Sequence, residues 1–141
     1  MSGHPGDRVD GATRTAIEAV LIEWAWLIDH GRATEAAVLF TADAEQSIAG
    51  VVASGNAAIS AGLQRRAALT QRTSRHVVSN IRLDLAANGD IAVSSILTLY
   101  RSDDAAWPAR PIMVADVADT FRRTDDGWRI HTRTVSPVFA D

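Results

Sequence analysis

Asp29 and His76 are the two residues on which proton chemistry in this chain could rest. Residues 73–80 read TSRHVVSN. Val77 and Val78 mark the stretch as strand, and a strand buries one face. A histidine on a buried face needs a hydrogen-bond partner or a task. A carboxylate that accepts from one imidazole nitrogen fixes the tautomer and leaves the other nitrogen to take or give a proton. That is the arrangement general acid–base catalysis needs. Two readings stay open: Asp29 makes His76 a proton shuttle, or Asp29 merely satisfies a core histidine.

Other candidates are weighed the same way. Met113, Ala115, Val117, Asp119 and Phe121 share one strand face, so Asp119 either reaches a pocket floor or pairs with an arginine; the pairing is preferred. Trp24, Trp26 and Phe40 could line an aromatic-binding pocket, although tryptophans at helical spacing also serve as core. Met113 is pocket lining or gap filler. Asn80 either donates to a substrate oxygen or stabilises a bulge. His30 suits a helix cap, His131 falls out of phase with Trp128 and Ile130 and is expected outward, and His4 lies in the tail. Trp107, in a loop with Pro108 and Pro111, reads as a lid or a dimer contact. The pairs Arg65–Arg66 and Arg122–Arg123 read as solvated.

Several chemistries drop out. There is no cysteine, which removes disulfides, thiolate catalysis and cysteine metal sites. Asp29 and His76 fall short of the three protein ligands of a catalytic zinc, so no metal is expected. Neither a glycine-rich phosphate loop nor a GxSxG elbow occurs. A net charge of -3 without a basic segment argues against nucleic acid. No apolar run approaches the roughly 18 residues of a membrane span, and the start, MSGHPGDRVDGA, lacks the apolar stretch of a signal peptide. A soluble cytoplasmic protein without a cofactor is expected.

The elements that must position the pair follow from periodicity. Ile17, Val20, Leu21, Trp24, Leu27 and Ile28 recur at spacings of three and four, one apolar helical face. Ile22, Trp26 and Asp29 form a stripe beside it, which puts Asp29 near the helix C-terminus. The dipole disfavours an acid there, so Asp29 is either solvated or held by a partner. TEAAVLF (34–40) predicts a short second helix, 44–55 two short strands around Gly50, and 56–69 a third helix capped by Ser54. Strands are expected at 74–85, 91–101, 111–124 and 127–136, separated by ANGD (87–90), a proline-rich loop and DDG (125–127). His76 and Val78 share a face, yet Ile81 and Leu83 take the opposite phase, so a bulge is expected near Ser79–Asn80.

Helices first and an antiparallel meander second make an α+β fold. A lead-in (1–12) precedes a single domain (13–141) long enough for one core. The segments IDHGRATEAAVLFTADAE (28–45), GNAAI (55–59), TSRHVVSN (73–80) and FRRTDDGWRI (121–130) resemble the SnoaL-like branch of the nuclear transport factor 2-like superfamily, over about residues 13–136. The resemblance implies a cone: a curved mixed, mostly antiparallel sheet wrapped around three N-terminal helices, with a pocket at the open end. Scytalone dehydratase-like members keep an aspartate late in the first helix and a histidine on the first long strand, positions matched by Asp29 and His76. Where such enzymes place a second histidine this chain has Arg101. Where they place pocket tyrosines it has Ile28 and the neighbourhood of Ile48, and their asparagine falls near Val117.

The resemblance therefore implies a cofactor-independent enzyme acting on a small hydrophobic cyclic or aromatic molecule. The reaction would be proton transfer: dehydration, isomerisation or cyclisation. His76 would be base and acid and Asp29 its partner, with Trp24, Trp26, Phe40, Val78, Met113, Val117 and Asp119 shaping the pocket. The alternative is a non-catalytic binding module or a structural one related to dioxygenase small subunits. A homodimer is expected through an outer sheet face bearing Thr98, Tyr100, Val114, Thr132 and Thr134.

Overall fold

Helix α1 (Gly11–Asp29) begins where the Asp10 carboxylate accepts a hydrogen bond from the Thr13 backbone N–H at 2.7 Å. That is a side-chain N-cap, satisfying one of the orphan donors of the first turn. The helix thus starts two residues inside the expected lead-in. The structure is a computed structural model that describes residues 9–104 and 110–141; Trp107 and its proposed lid or dimer role, with most of the lead-in, lie outside the described residues. The six apolar positions read from spacing are all buried. Ile22 and Trp26, on the neighbouring stripe, are exposed.

The segment after α1 is a 3-10 helix (Ala33–Leu39), not an α-helix, and it ends earlier than expected. Phe40 already opens β1 (Phe40–Ile48), which turns through Ala49 and Gly50 into β2 (Val51–Ser54). Both turn residues have positive φ, 50° and 83°, as the tight hairpin turn matching strand twist requires. Ser54 is not the cap of α2 (Asn56–Ala68): it ends β2, and Gly55 takes the N-cap position at φ 87° with no side-chain cap bond. Only glycine adopts that backbone cheaply. Asn56 instead ties the helix start to the 3-10 helix, donating to the Ala37 carbonyl at 2.9 Å.

The four long strands are β3 (Thr73–Leu85), β4 (Ile91–Ser102), β5 (Arg110–Thr124) and β6 (Gly127–Ala140). They join β1 and β2 in one six-stranded sheet, ordered β2-β1-β6-β5-β4-β3. Every neighbouring pair is antiparallel except β1 with β6, so the sheet is mixed. The register shifts between Ser79 and Arg82, and Asn80 sits at φ 54°, which is the bulge read from the phase switch. Further shifts at Leu99/Tyr100, Val114/Ala115 and Thr120/Phe121 bend and coil the sheet. The concave face closes over α1, where Ile17, Leu21, Leu83, Phe121 and Ile130 are almost wholly buried. Among the described residues no helix is long and apolar enough to cross a membrane.

One shift corrects the reading of β6. Thr120 pairs with Thr132 while Phe121 pairs with Ile130, so His131 is the extra residue of a bulge. Its ring is not simply outward: Nδ1 lies 2.9 Å from the Thr41 hydroxyl and 3.6 Å from Asp43. After the bulge Arg133 and Val135 face the core, and Thr134 faces out. The apolar phase passing from Ile130 to Val135, an odd separation, was the available signal.

Candidate active site

Asp29 is the last residue of α1, at the negative end of the helix dipole, and its side chain is only 5% exposed. Three donors hold it there. The Ser74 hydroxyl donates to Oδ1 at 2.8 Å, the His76 backbone N–H to Oδ2 at 2.7 Å, and His76 Nδ1 meets Oδ1 at 2.6 Å. Burial pushes the Asp29 carboxyl up, but the hydrogen bonds from His76 and Ser74 outweigh it and hold the carboxyl below its usual value of 3.8. A carboxylate that accepts from Nδ1 fixes that nitrogen as the protonated one.

Strand phase sets the other partners. Ser74 and His76 alternate inward with Val78, and across the ladder Ser74 pairs with Arg101 and His76 with Leu99. The His76 ring, 12% exposed, stands edge-on to Trp24 at 5.1 Å between centroids. The Arg133 guanidinium lies over the same Trp24 ring, 4.4 Å from its centre. No described residue bonds His76 Nε2, and no buried side-chain nitrogen or oxygen is left without a partner. Nε2 is therefore open to the space that His76 lines.

That space is a cavity of about 290 Å³. Trp24 and Ile28 of α1, Ile48 and Val51 of the hairpin, Ile59 and Leu63 of α2, and Leu99 give it an apolar wall. Gln46, Ser74, His76, Arg65, Arg66, Arg72 and Arg101 give it a polar one. Arg101, at the position matched to the dehydratase-like second histidine, lines it, as do Ile28 and the neighbourhood of Ile48, where the tyrosines were matched.

Of the expected pocket residues, Trp24 is at the cavity wall and the rest are not. Trp26 is 45% exposed and stacks on His30, with ring centroids 4.2 Å apart. His30 caps α1, its Nδ1 donating to the Trp26 carbonyl at 2.7 Å. Phe40 is buried core; Val78 and Met113 pack against that core from its edge. Val117 is buried and borders a different depression on the sheet. Asp119 takes its preferred reading, a bidentate pair with Arg133 at 2.8 and 3.0 Å. It borders a separate groove of about 640 Å³ that contains Arg14, Arg82 and Asp84 but no histidine.

Arg66 was missed. Its Nη2 donates to the Ser74 hydroxyl at 2.8 Å, so it is not a solvated surface charge. The spacing held the signal, because Ile59, Leu63 and Arg66 recur at four and three along the buried face of α2.

Asp29 also sets a pH dependence. Its folded carboxyl lies below the unfolded value, so its stabilising contribution is present above about pH 4 and drains as pH falls through the folded value. Asp29→Asn is expected to lower stability at pH 7 by about 1–3 kcal/mol. The gap to the native protein should narrow as the pH falls below about 4. Urea midpoints at both ends check this, and a gap unchanged by acid would contradict it.

A family model described as a SnoaL-like domain matches residues 11–134. The chain belongs to the SnoaL-like family. Among curated proteins none matches. Solved structures of the same fold include Aln2 from a Streptomyces species, 21% identical, TM-score 0.81, covering 92% of this chain and 93% of that one. A proposed scytalone dehydratase from Novosphingobium aromaticivorans is 23% identical with a TM-score of 0.82, covering 92% and 87%. ActVI-ORFA from Streptomyces coelicolor is 18% identical with a TM-score of 0.79, covering 90% and 98%.

Proposed function

We propose that the protein is an enzyme that moves a proton on a small cyclic or aromatic molecule, in a dehydration, isomerisation or cyclisation that needs no cofactor. His76 is the base and then the acid, acting through Nε2. Asp29 orients the ring and balances the imidazolium. The observation that carries this reading is the 2.6 Å contact between Asp29 and His76 Nδ1 at the wall of a cavity. A plain core histidine would have both nitrogens satisfied by protein; this one keeps Nε2 for a ligand. The likeness in fold to a proposed scytalone dehydratase supports the same class of chemistry.

The test uses 2-tetralone, a bicyclic ketone whose α-protons exchange in D2O through an enol. The protein is expected to accelerate that exchange over buffer, and His76→Ala to abolish the acceleration. An exchange rate equal to buffer with the native protein sinks the proposal.

The outer sheet face is the surface on which a second copy of the chain docks. Thr98 and Val114 are direct neighbours on it, Tyr100 is exposed beside them, and Thr132 and Thr134 follow on β6. A sedimentation mass of twice the chain mass is expected at micromolar concentration. A monomer mass overturns it.

A further inference from the structure

The polar wall of the His76 cavity is cationic. Among the described residues four arginines line it, Arg65, Arg66, Arg72 and Arg101, and no acid does. The nearby carboxylates are already engaged. Asp29 is taken by Ser74 and His76. Asp103 takes Arg72 at 2.7 and 3.2 Å and lies 3.9 Å from Arg101. Among the described residues, no carboxylate lies within salt-bridge distance of Arg65 or Arg66. Among the described residues, the one side-chain bond of Arg66 is to a neutral hydroxyl.

This is a costly grouping of like charges. Burial and the charges of Arg72 and Arg101 make the Arg66 guanidinium less comfortable as a cation, an effect only partly offset by Asp29 and Asp103. Arg101 faces inward opposite Ser74 in the ladder, one step from the His76–Leu99 pair. Arg66 reaches the same Ser74 from α2. Two arginines from different elements, one bonded to the Ser74 hydroxyl and one opposite Ser74 in the ladder, therefore line the cavity next to the proton-transfer pair. Planar forks of N–H donors bind a carboxylate in two parallel bonds.

We infer that the ligand of this cavity is an anion, a cyclic or aromatic molecule carrying a carboxylate that Arg66 and Arg101 bind beside Ser74, with its apolar body against Trp24, Ile28 and Leu99. The inference rests on the proposed function for the ligand's reaction, but not for its binding. Bound in this way, the carboxylate holds the reacting carbon within reach of His76 Nε2. It also supplies the negative charge the cavity lacks.

The test compares 1-naphthaleneacetate with its neutral counterpart, 1-naphthaleneacetamide, by NMR titration of the native protein at pH 7. The acetate is expected to bind at least about tenfold more tightly, the worth of one charge-assisted hydrogen bond. Shifts are expected at Trp24 and His76. Arg101→Gln removes most of that preference without disturbing the fold, since the side chain is about a third exposed. Equal affinity for acetate and amide, no acetate binding at millimolar concentration, or a preference unchanged in Arg101→Gln overturns the assignment. Repeating the titration in His76→Ala separates the two proposals. A protein that prefers the acetate but exchanges no proton keeps the anionic ligand and loses the enzyme.

Discussion

Replacing His76 with alanine lowers the protein-catalysed exchange of 2-tetralone α-protons by about 10²–10⁴-fold, the usual contribution of a positioned acid–base group. The fold is expected to survive. The variant keeps its backbone N–H, so Asp29 retains that donor and the Ser74 hydroxyl. What it loses is the ring contact with Trp24 and the Nδ1 bond. Far-UV spectra and a cooperative urea transition verify folding, and the loss of the α-proton signal in D2O reads the rate. Asp29→Asn is the informative companion. Its amide oxygen can still accept from Nδ1, so the ring keeps its orientation while the balancing charge disappears. A partial loss in Asp29→Asn beside a complete loss in His76→Ala assigns orientation and charge separately. Full activity in His76→Ala would leave the pair a structural clamp between α1 and β3.

Some of this arrangement was legible in the residues, and the reasons differ from place to place. The α1 face was legible because six large apolar side chains recur at helical spacing, and only one helix orientation buries them all. The bulge at Asn80 was legible because the apolar phase changes parity between Val78 and Ile81, and a strand cannot change parity without an extra residue. The pocket walls were not. Trp26 and Trp24 are two residues apart on a helix, so they point to different sides, and hydrophobicity alone does not say which side meets the cavity. Val117 and Met113 share a face with true core residues, and where the core stops and a cavity begins depends on the distance between helix and sheet. Arg65 and Arg66 were read as solvated because a pair of arginines makes no basic stripe. The clue against that for Arg66 lay in position, since it continues the Ile59–Leu63 stripe; Arg101 in the same way continues the inward phase of Leu97 and Leu99.

Removing the carboxylate of Asp119 is expected to cost more stability than any other single change considered, about 3–5 kcal/mol. Asp119 and Arg133 are direct neighbours in the β5–β6 ladder, with side chains 0% and 3% exposed. Two bonds at 2.8 and 3.0 Å join them. Asp119→Ala leaves a guanidinium buried without its counter-charge, next to Trp24. A folded domain holds only about 5–15 kcal/mol in total, so the variant should unfold at markedly lower urea concentration and temperature. The double variant Asp119→Leu with Arg133→Met removes both charges and should recover most of the loss, because apolar replacements of a buried pair are often neutral. A loss below about 1 kcal/mol in Asp119→Ala, the range of exposed pairs, would mean that water reaches the guanidinium. The pair also bears on the site. Arg133 lies over the Trp24 ring that meets the edge of His76, so the double variant is expected to stay folded while the Trp24 ring loses its cation. Exchange of 2-tetralone in that protein then reports whether the cation over Trp24 matters for His76 to work.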